Sequence, residues 1–177
     1  DLAPETKWFD MAQASINAIL EVDTNTLIMV GGNDWSSAER WIEQSDTLKF
    51  LKDPANNLAF EAHVYFDKDA SGTYKYSYEE EECYPEKGID RVKPFVEWIK
   101  QNKFHGFIGE YGIPDNDPRW NETLDLFLGY LQENGINGTY WAAGPWWDTY
   151  FMAITPKDGK DRPQMPIIEK YTSTLKK

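Results

Sequence analysis

Four times along this chain a strand-length apolar run alternates with a stretch of helical spacing, and no hairpin signal intervenes. Leu27 to Gly31 is the first run, unbroken by charge, as expected of a strand buried on both faces. Leu58 to Tyr65 is the second, the stretch closing on Phe107-Ile108-Gly109-Glu110-Tyr111-Gly112 the third, and Ile136 to Trp141 the fourth. A helix from Trp8 to Glu21 precedes the first run, and Ser36 is placed to cap a short helix over Ala38 to Trp41. Gly88 to Asn102 sets Ile89, Val92, Phe95, Val96 and Ile99 on one helical face. Trp120 to Glu133 is the next helix, ended by Asn134-Gly135, and Pro166 opens a closing helix through Tyr171. Such alternation specifies a parallel sheet with helices outside it. A complete (β/α)8 barrel takes roughly 200 residues or more, so four units in 177 residues read as half of one. The expected fold is therefore α/β: one domain over residues 1–177, half of a TIM barrel, with four parallel strands and outer helices.

Composition narrows the partner. Eight Trp, ten Tyr and nine Phe exceed what a core of this size requires, so several rings should face a groove. Aromatic faces suit both sugars and bases, but a net charge of −12 argues against a phosphate backbone as partner. An uncharged polymer such as a polysaccharide satisfies both observations. Cys83 is the only cysteine, so neither an internal disulfide nor a Cys-rich metal site is expected. No apolar run approaches the roughly 18 residues of a membrane span. No signal-peptide pattern is found within the 177 residues, and the start at Asp1 without Met leaves room for a leader removed by processing. With His63 and His105 the only histidines and no Gly-rich phosphate loop, neither metal nor cofactor is implied.

The chemistry-bearing residues cluster where the runs end. Asn33, Asp34 and Trp35 follow the first strand. Along the second, Glu61, His63 and Tyr65 alternate with Ala62 and Val64 and so share one side. His63 and Tyr65, nearest the carboxyl end, are site candidates, and Glu61, deeper, is expected as a structural ion-pair partner. The third strand delivers Glu110, either a reactive carboxylate or a buried Glu paired with an Arg. Trp141, Trp146 and Trp147 are three indoles within seven residues, too many to bury beside one strand, although each alone would suit a core. Glu79 to Glu82 reads as a solvated acidic loop face.

Four segments in order carry a family resemblance. They are Ile28-Met29-Val30-Gly31-Gly32-Asn33-Asp34-Trp35-Ser36, Phe60-Glu61-Ala62-His63-Val64-Tyr65-Phe66-Asp67, Gly109-Glu110-Tyr111-Gly112 and Thr139-Tyr140-Trp141-Ala142-Ala143-Gly144. Together they resemble the C-terminal half of a glycoside hydrolase family 5 cellulase, an endo-β-1,4-glucanase, over essentially the whole chain. The resemblance implies strands five to eight of the barrel, with Glu110 as catalytic nucleophile and His63 and Tyr65 beside it, Tyr65 donating to its carboxylate. It makes Trp141 the platform for the sugar next to the cleaved bond, with Trp35, Trp147 and Asn33 in the substrate cleft. It implies a β-glucan or cello-oligosaccharide substrate, no cofactor, and a secreted parent enzyme. The family's Asn-Glu-Pro acid/base motif occurs nowhere in the sequence. The isolated chain is therefore expected to turn over poorly, needing an N-terminal half-barrel chain. The alternative is a self-associating half barrel that binds glucan without catalysis. Its open first and last strands make a homodimer the expected state of the chain alone.

Overall fold

The computed structural model describes residues 7–172. The elements run α1 (Trp8–Leu20), β1 (Ile28–Gly31), the single turn α2 (Asn33–Ser36), α3 (Trp41–Ser45), a 3-10 turn Asp46–Phe50, β2 (Leu58–His63), α4 (Lys87–Asn102), β3 (His105–Tyr111), α5 (Arg119–Glu133), β4 (Asn137–Tyr140), a 3-10 turn Pro145–Trp147 and α6 (Met165–Tyr171). The strands form one sheet in the order β1-β2-β3-β4, and every pairing is parallel. Strand–helix–strand crossovers between consecutive strands produce this order, with α4 and α5 joining β2 to β3 and β3 to β4. Among the described residues, β1 and β4 each pair on one side only.

Part of the aromatic content goes into the layer between sheet and helices. Phe60 on β2 sits in a cluster with Trp41 of α3 and Phe95 and Trp98 of α4, Trp41 and Phe95 meeting edge to face at 4.7 Å between ring centroids. Val92, Phe95, Val96 and Ile99 are buried as the spacing of α4 requires. Phe127 of α5 covers Tyr111 and Phe66 in the same way. Each buried ring of this kind contributes about 1.5–3 kcal/mol relative to exposure. The Asn134-Gly135 stop is also present: Gly135 has φ +67°, and the Ile136 N–H reaches back to the Leu131 carbonyl at 3.0 Å.

Three expectations change in the structure. β1 is buried on one face only, with Ile28 and Val30 inward to the helices and Met29 44% exposed. The opposite face carries Met29, Gly31, Ala59, Glu61, Phe107, Asn137 and Thr139, a mixture of apolar and polar side chains. Ser36 caps no helix. Its hydroxyl turns back to the sheet, accepting the Gly32 N–H at 2.7 Å and donating to the Glu61 carbonyl, because Asp34, Trp35 and Ser36 all take left-handed φ values. The acidic run is not wholly solvated either: Glu81 is 3% exposed and accepts the backbone N–H groups of Lys68 and Tyr76 at 2.8 Å. Those donors lie in a loop that composition alone does not bring near it.

Candidate active site

The bulge between Ala62 and His63 brings His63 opposite Glu110 in the β2–β3 register, and Val64 N–H bonds the Glu110 carbonyl at 2.9 Å. Bulges at strand ends re-aim side chains, and this one turns three polar groups toward one point. The Tyr65 hydroxyl donates to Glu110 Oε2 at 2.8 Å, and His63 Nδ1 stands 3.6 Å from the same oxygen. No described residue hydrogen-bonds Oε1. One carboxylate oxygen is thus held while the other has no hydrogen-bond partner among the described residues. Burial, followed by the Glu110 charge, pushes the Tyr65 phenol far up, so it remains a proton-bearing donor. Burial acts against a charged His63, but the hydrogen bond and charge of Glu61, with the charge of Glu110, outweigh it and raise its pKa above the ordinary imidazole value.

Glu110 opens into a cleft of about 420 Å³ whose lining includes Asp34, Trp35, Arg40, His63 and Tyr65. Trp35 projects with 69% of its surface exposed, at φ +50°. Three consecutive non-glycine residues in the left-handed region are costly, and such strain is found where a structure presents a functional group. An ion pair from Arg40 to Asp34 braces the turn.

Beyond β4, Trp141 N–H extends the ladder to the Tyr111 carbonyl at 2.8 Å, and its ring meets Trp147 at 5.0 Å between centroids. Trp147 in turn meets Tyr150 at 5.0 Å, and Trp146 is 89% exposed. Arg162 pins this loop, donating to the carbonyls of Ala153 at 3.0 Å and Tyr150 at 3.1 Å while pairing with Asp115 at 3.0 Å.

The structure therefore gathers Glu110, His63 and Tyr65 at one point and sets Trp35 on the same cleft. Trp141 and Trp147 stand together on the β4 side. Asn33 is not brought there. Its amide donates to the Gln44 carbonyl at 2.8 Å and its N–H to Ser45 Oγ at 2.9 Å, and it lines a second groove with Trp8 and Phe50. The second residue after β1 is spent on anchoring the turn to α3. Sequence reasoning missed Tyr150, whose phenol is pushed up first by burial and further by the Glu110 charge. It also missed that the ion partner of Glu61 is His63 itself, at 2.7 Å, although their spacing of two held that signal. Among the described residues no cluster of His, Cys, Asp and Glu could hold a metal ion, and no helix is long and apolar enough to cross a membrane.

A parallel sheet with outer helices and a carboxylate at a strand end is the arrangement of part of an α/β-barrel enzyme, where site residues sit at the carboxyl ends of strands. Comparison with known proteins makes this specific: the chain belongs to the cellulase family, glycosyl hydrolase family 5, whose model matches residues 3–146. Endo-beta-1,4-glucanase B of Aspergillus niger is 35% identical over 92% of the chain, which covers 48% of that protein. The solved endoglucanase Cel5A of Pseudomonas stutzeri is 42% identical with a TM-score of 0.87, over 94% of this chain and 51% of that one. XacCel5A, solved in complex with cellopentaose, is 38% identical with a TM-score of 0.85, over 97% of this chain and 56% of that one. The chain spans about half the length of the curated relatives it matches, and its four strands correspond to half a TIM barrel.

Proposed function

We propose that this chain supplies the nucleophile half of an endo-β-1,4-glucanase that hydrolyses cellulose or a related β-glucan with retention of configuration. The observation that carries the reading is the convergence of Tyr65 and His63 on one oxygen of Glu110, at the floor of a cleft edged by Trp35. Glu110 Oε1 attacks the anomeric carbon, forming a glycosyl ester, while the leaving oxygen is protonated by a second carboxyl group. Water then cleaves the ester, with that second group acting as base. A retaining pair stands about 5–5.5 Å apart. No Asn-Glu-Pro occurs in these 177 residues, so the proton donor is assigned to the other half of the barrel, on the same polypeptide or a second one. Trp141 serves as the stacking platform beside the cleaved bond, with Trp35 and Trp147 along the cleft. Relatives named endo-beta-1,4-glucanase and a neighbour holding cellopentaose support the substrate class. An insoluble polymer substrate places the parent enzyme outside the cell. A second reading, glucan binding without catalysis by this chain alone, is favoured by the exposure of Trp35 and Trp146.

The test combines the chain with an N-terminal half barrel, such as that of the Pseudomonas stutzeri endoglucanase, and assays carboxymethylcellulose. Glu110→Gln should abolish turnover while oligosaccharide binding survives, since the covalent step is lost and the aromatic surfaces remain. Hydrolysis retained by a clean Glu110→Gln preparation would overturn the assignment.

A further inference from the structure

Glu61 lies in a slot built from its neighbours. A Cβ on Gly109 of β3 would fall 1.7 Å from Glu61 Oε1, and one on Gly31 of β1 would fall 3.4 Å from Oε2. Two flanking strands thus leave the space that its carboxylate fills. Oε2 stands 3.2 Å from Ser36 Oγ, and Oε1 stands 2.7 Å from His63 Nε2. No Lys or Arg pairs with Glu61 among the described residues. A partly buried carboxylate is costly without a cation, and among the described residues the basic side chain in contact with it is His63.

The geometry dictates the proton on the ring. An ionised carboxylate only accepts, so His63 Nε2 carries hydrogen toward Glu61 in either charge state. Nδ1 then faces Glu110 Oε2 at 3.6 Å. A neutral ring would present its lone pair to that oxygen, whereas an imidazolium presents a second N–H. The groups facing the ring are Glu61 on its own strand, Glu110 on β3 with the Tyr65 hydroxyl on it, and the Trp35 backbone after β1. The Asp34–Arg40 pair and Glu39, Asp69 and Arg91 line the same cleft, and β4 contributes no charged side chain.

We infer that Glu61 is a positioning residue that holds His63 as an imidazolium bridging two carboxylates, keeping a positive charge fixed beside Glu110. Its consequence for catalysis rests on Glu110 being the nucleophile. When Glu110 becomes an ester it loses its charge, and His63 loses one of two negative neighbours. Glu61 does not react, so the proton stays on the ring and the charge is in place when the carboxylate re-forms. The raised pKa of His63 agrees with this arrangement. Its sign is fixed: the interaction is fully present below the ordinary imidazole value and is lost as pH rises through the folded-state value.

The chain has two histidines, so isotope-labelled imidazole signals can be followed by NMR titration of the intact chain, with His105→Gln removing the ambiguity. His63 should titrate above the ordinary value of about 6.5. Glu61→Gln should lower its midpoint by about one pH unit or more, and Glu110→Gln by less, since its contact is longer. Glu61→Asp keeps the charge but withdraws it by a methylene, and should give an intermediate fall. In the neutral form the nitrogen shifts should report hydrogen on Nε2. A midpoint unmoved by Glu61→Gln in a protein with native amide spectra, or hydrogen on Nδ1, overturns the inference. Glucanase assays do not enter these titrations, so failure of the nucleophile assignment is read separately.

Discussion

At the scale of single residues, the two oxygens of Glu110 differ in their surroundings. Tyr65 and His63 occupy one oxygen of Glu110, and the rings of Trp141 and Trp147 supply flat apolar surface with little entropy to lose. Flat surface of that kind should matter for binding more than for folding, because Trp141 is only partly buried. Trp141→Ala is expected to weaken cello-oligosaccharide binding by about 1–3 kcal/mol, if a sugar stacks on an indole as a base does. Calorimetric titration of the variant with cellopentaose measures this, and an unchanged affinity would remove Trp141 from the cleft. Trp147 meets both Trp141 and Tyr150, so its loss should also disturb the loop that Arg162 pins, and the two effects need separate variants.

At the scale of elements, the strands are shaped around the carboxylates they carry. Gly109 precedes Glu110 and yields its Cβ position to Glu61. Gly109→Ala must therefore displace that side chain or spread β2 from β3, and overpacking of this kind costs about 1–3 kcal/mol. Chemical denaturation should show the loss, and the His63 signal should move with it. A denaturation midpoint equal to that of the unmodified chain would show that the slot is looser than its geometry. Much of this level was legible beforehand, because periodicity reports burial. The alternation of Glu61, His63 and Tyr65, the apolar approach to Glu110 and the Asn134-Gly135 stop are all local patterns. What stayed hidden depends on contacts distant in sequence or on rare backbone. The left-handed run Asp34–Ser36 has no glycine to announce it, so Ser36 reads as a cap and Asn33 as a ligand. Glu81 looks solvated because its backbone partners, Lys68 and Tyr76, enclose it only once the loop has folded.

At the scale of the whole molecule, the sheet has two open edges. β1 and β4 each lack a second strand partner among the described residues, the Trp8 indole N–H taking only the Gly31 carbonyl at the β1 edge, and such edges are templates for another chain. Two copies related by a two-fold axis set β1 of each beside β4 of the other, closing eight parallel strands without an edge. The face that would turn inward carries Met29, Ala59, Glu61, Phe107, Asn137 and Thr139, so apolar burial and backbone pairing would both contribute. Each copy carries a net charge of −12, and salt should therefore strengthen the association by screening repulsion. We predict that the chain on its own sediments as a dimer, more completely at 0.5 M than at roughly 0.05 M salt, where the screening length is several-fold longer. In that dimer Trp141 takes the place that the proton-donating strand holds in a complete barrel, and the two Glu110 residues face each other across it. It should bind cello-oligosaccharide and hydrolyse poorly, and an N-terminal half barrel added in excess should displace the second copy and bring turnover with it. A compact monomer that unfolds cooperatively would rule out the dimer. Brisk hydrolysis by the purified dimer would mean that another carboxylate, Asp34 or Asp148, has taken the donor's role.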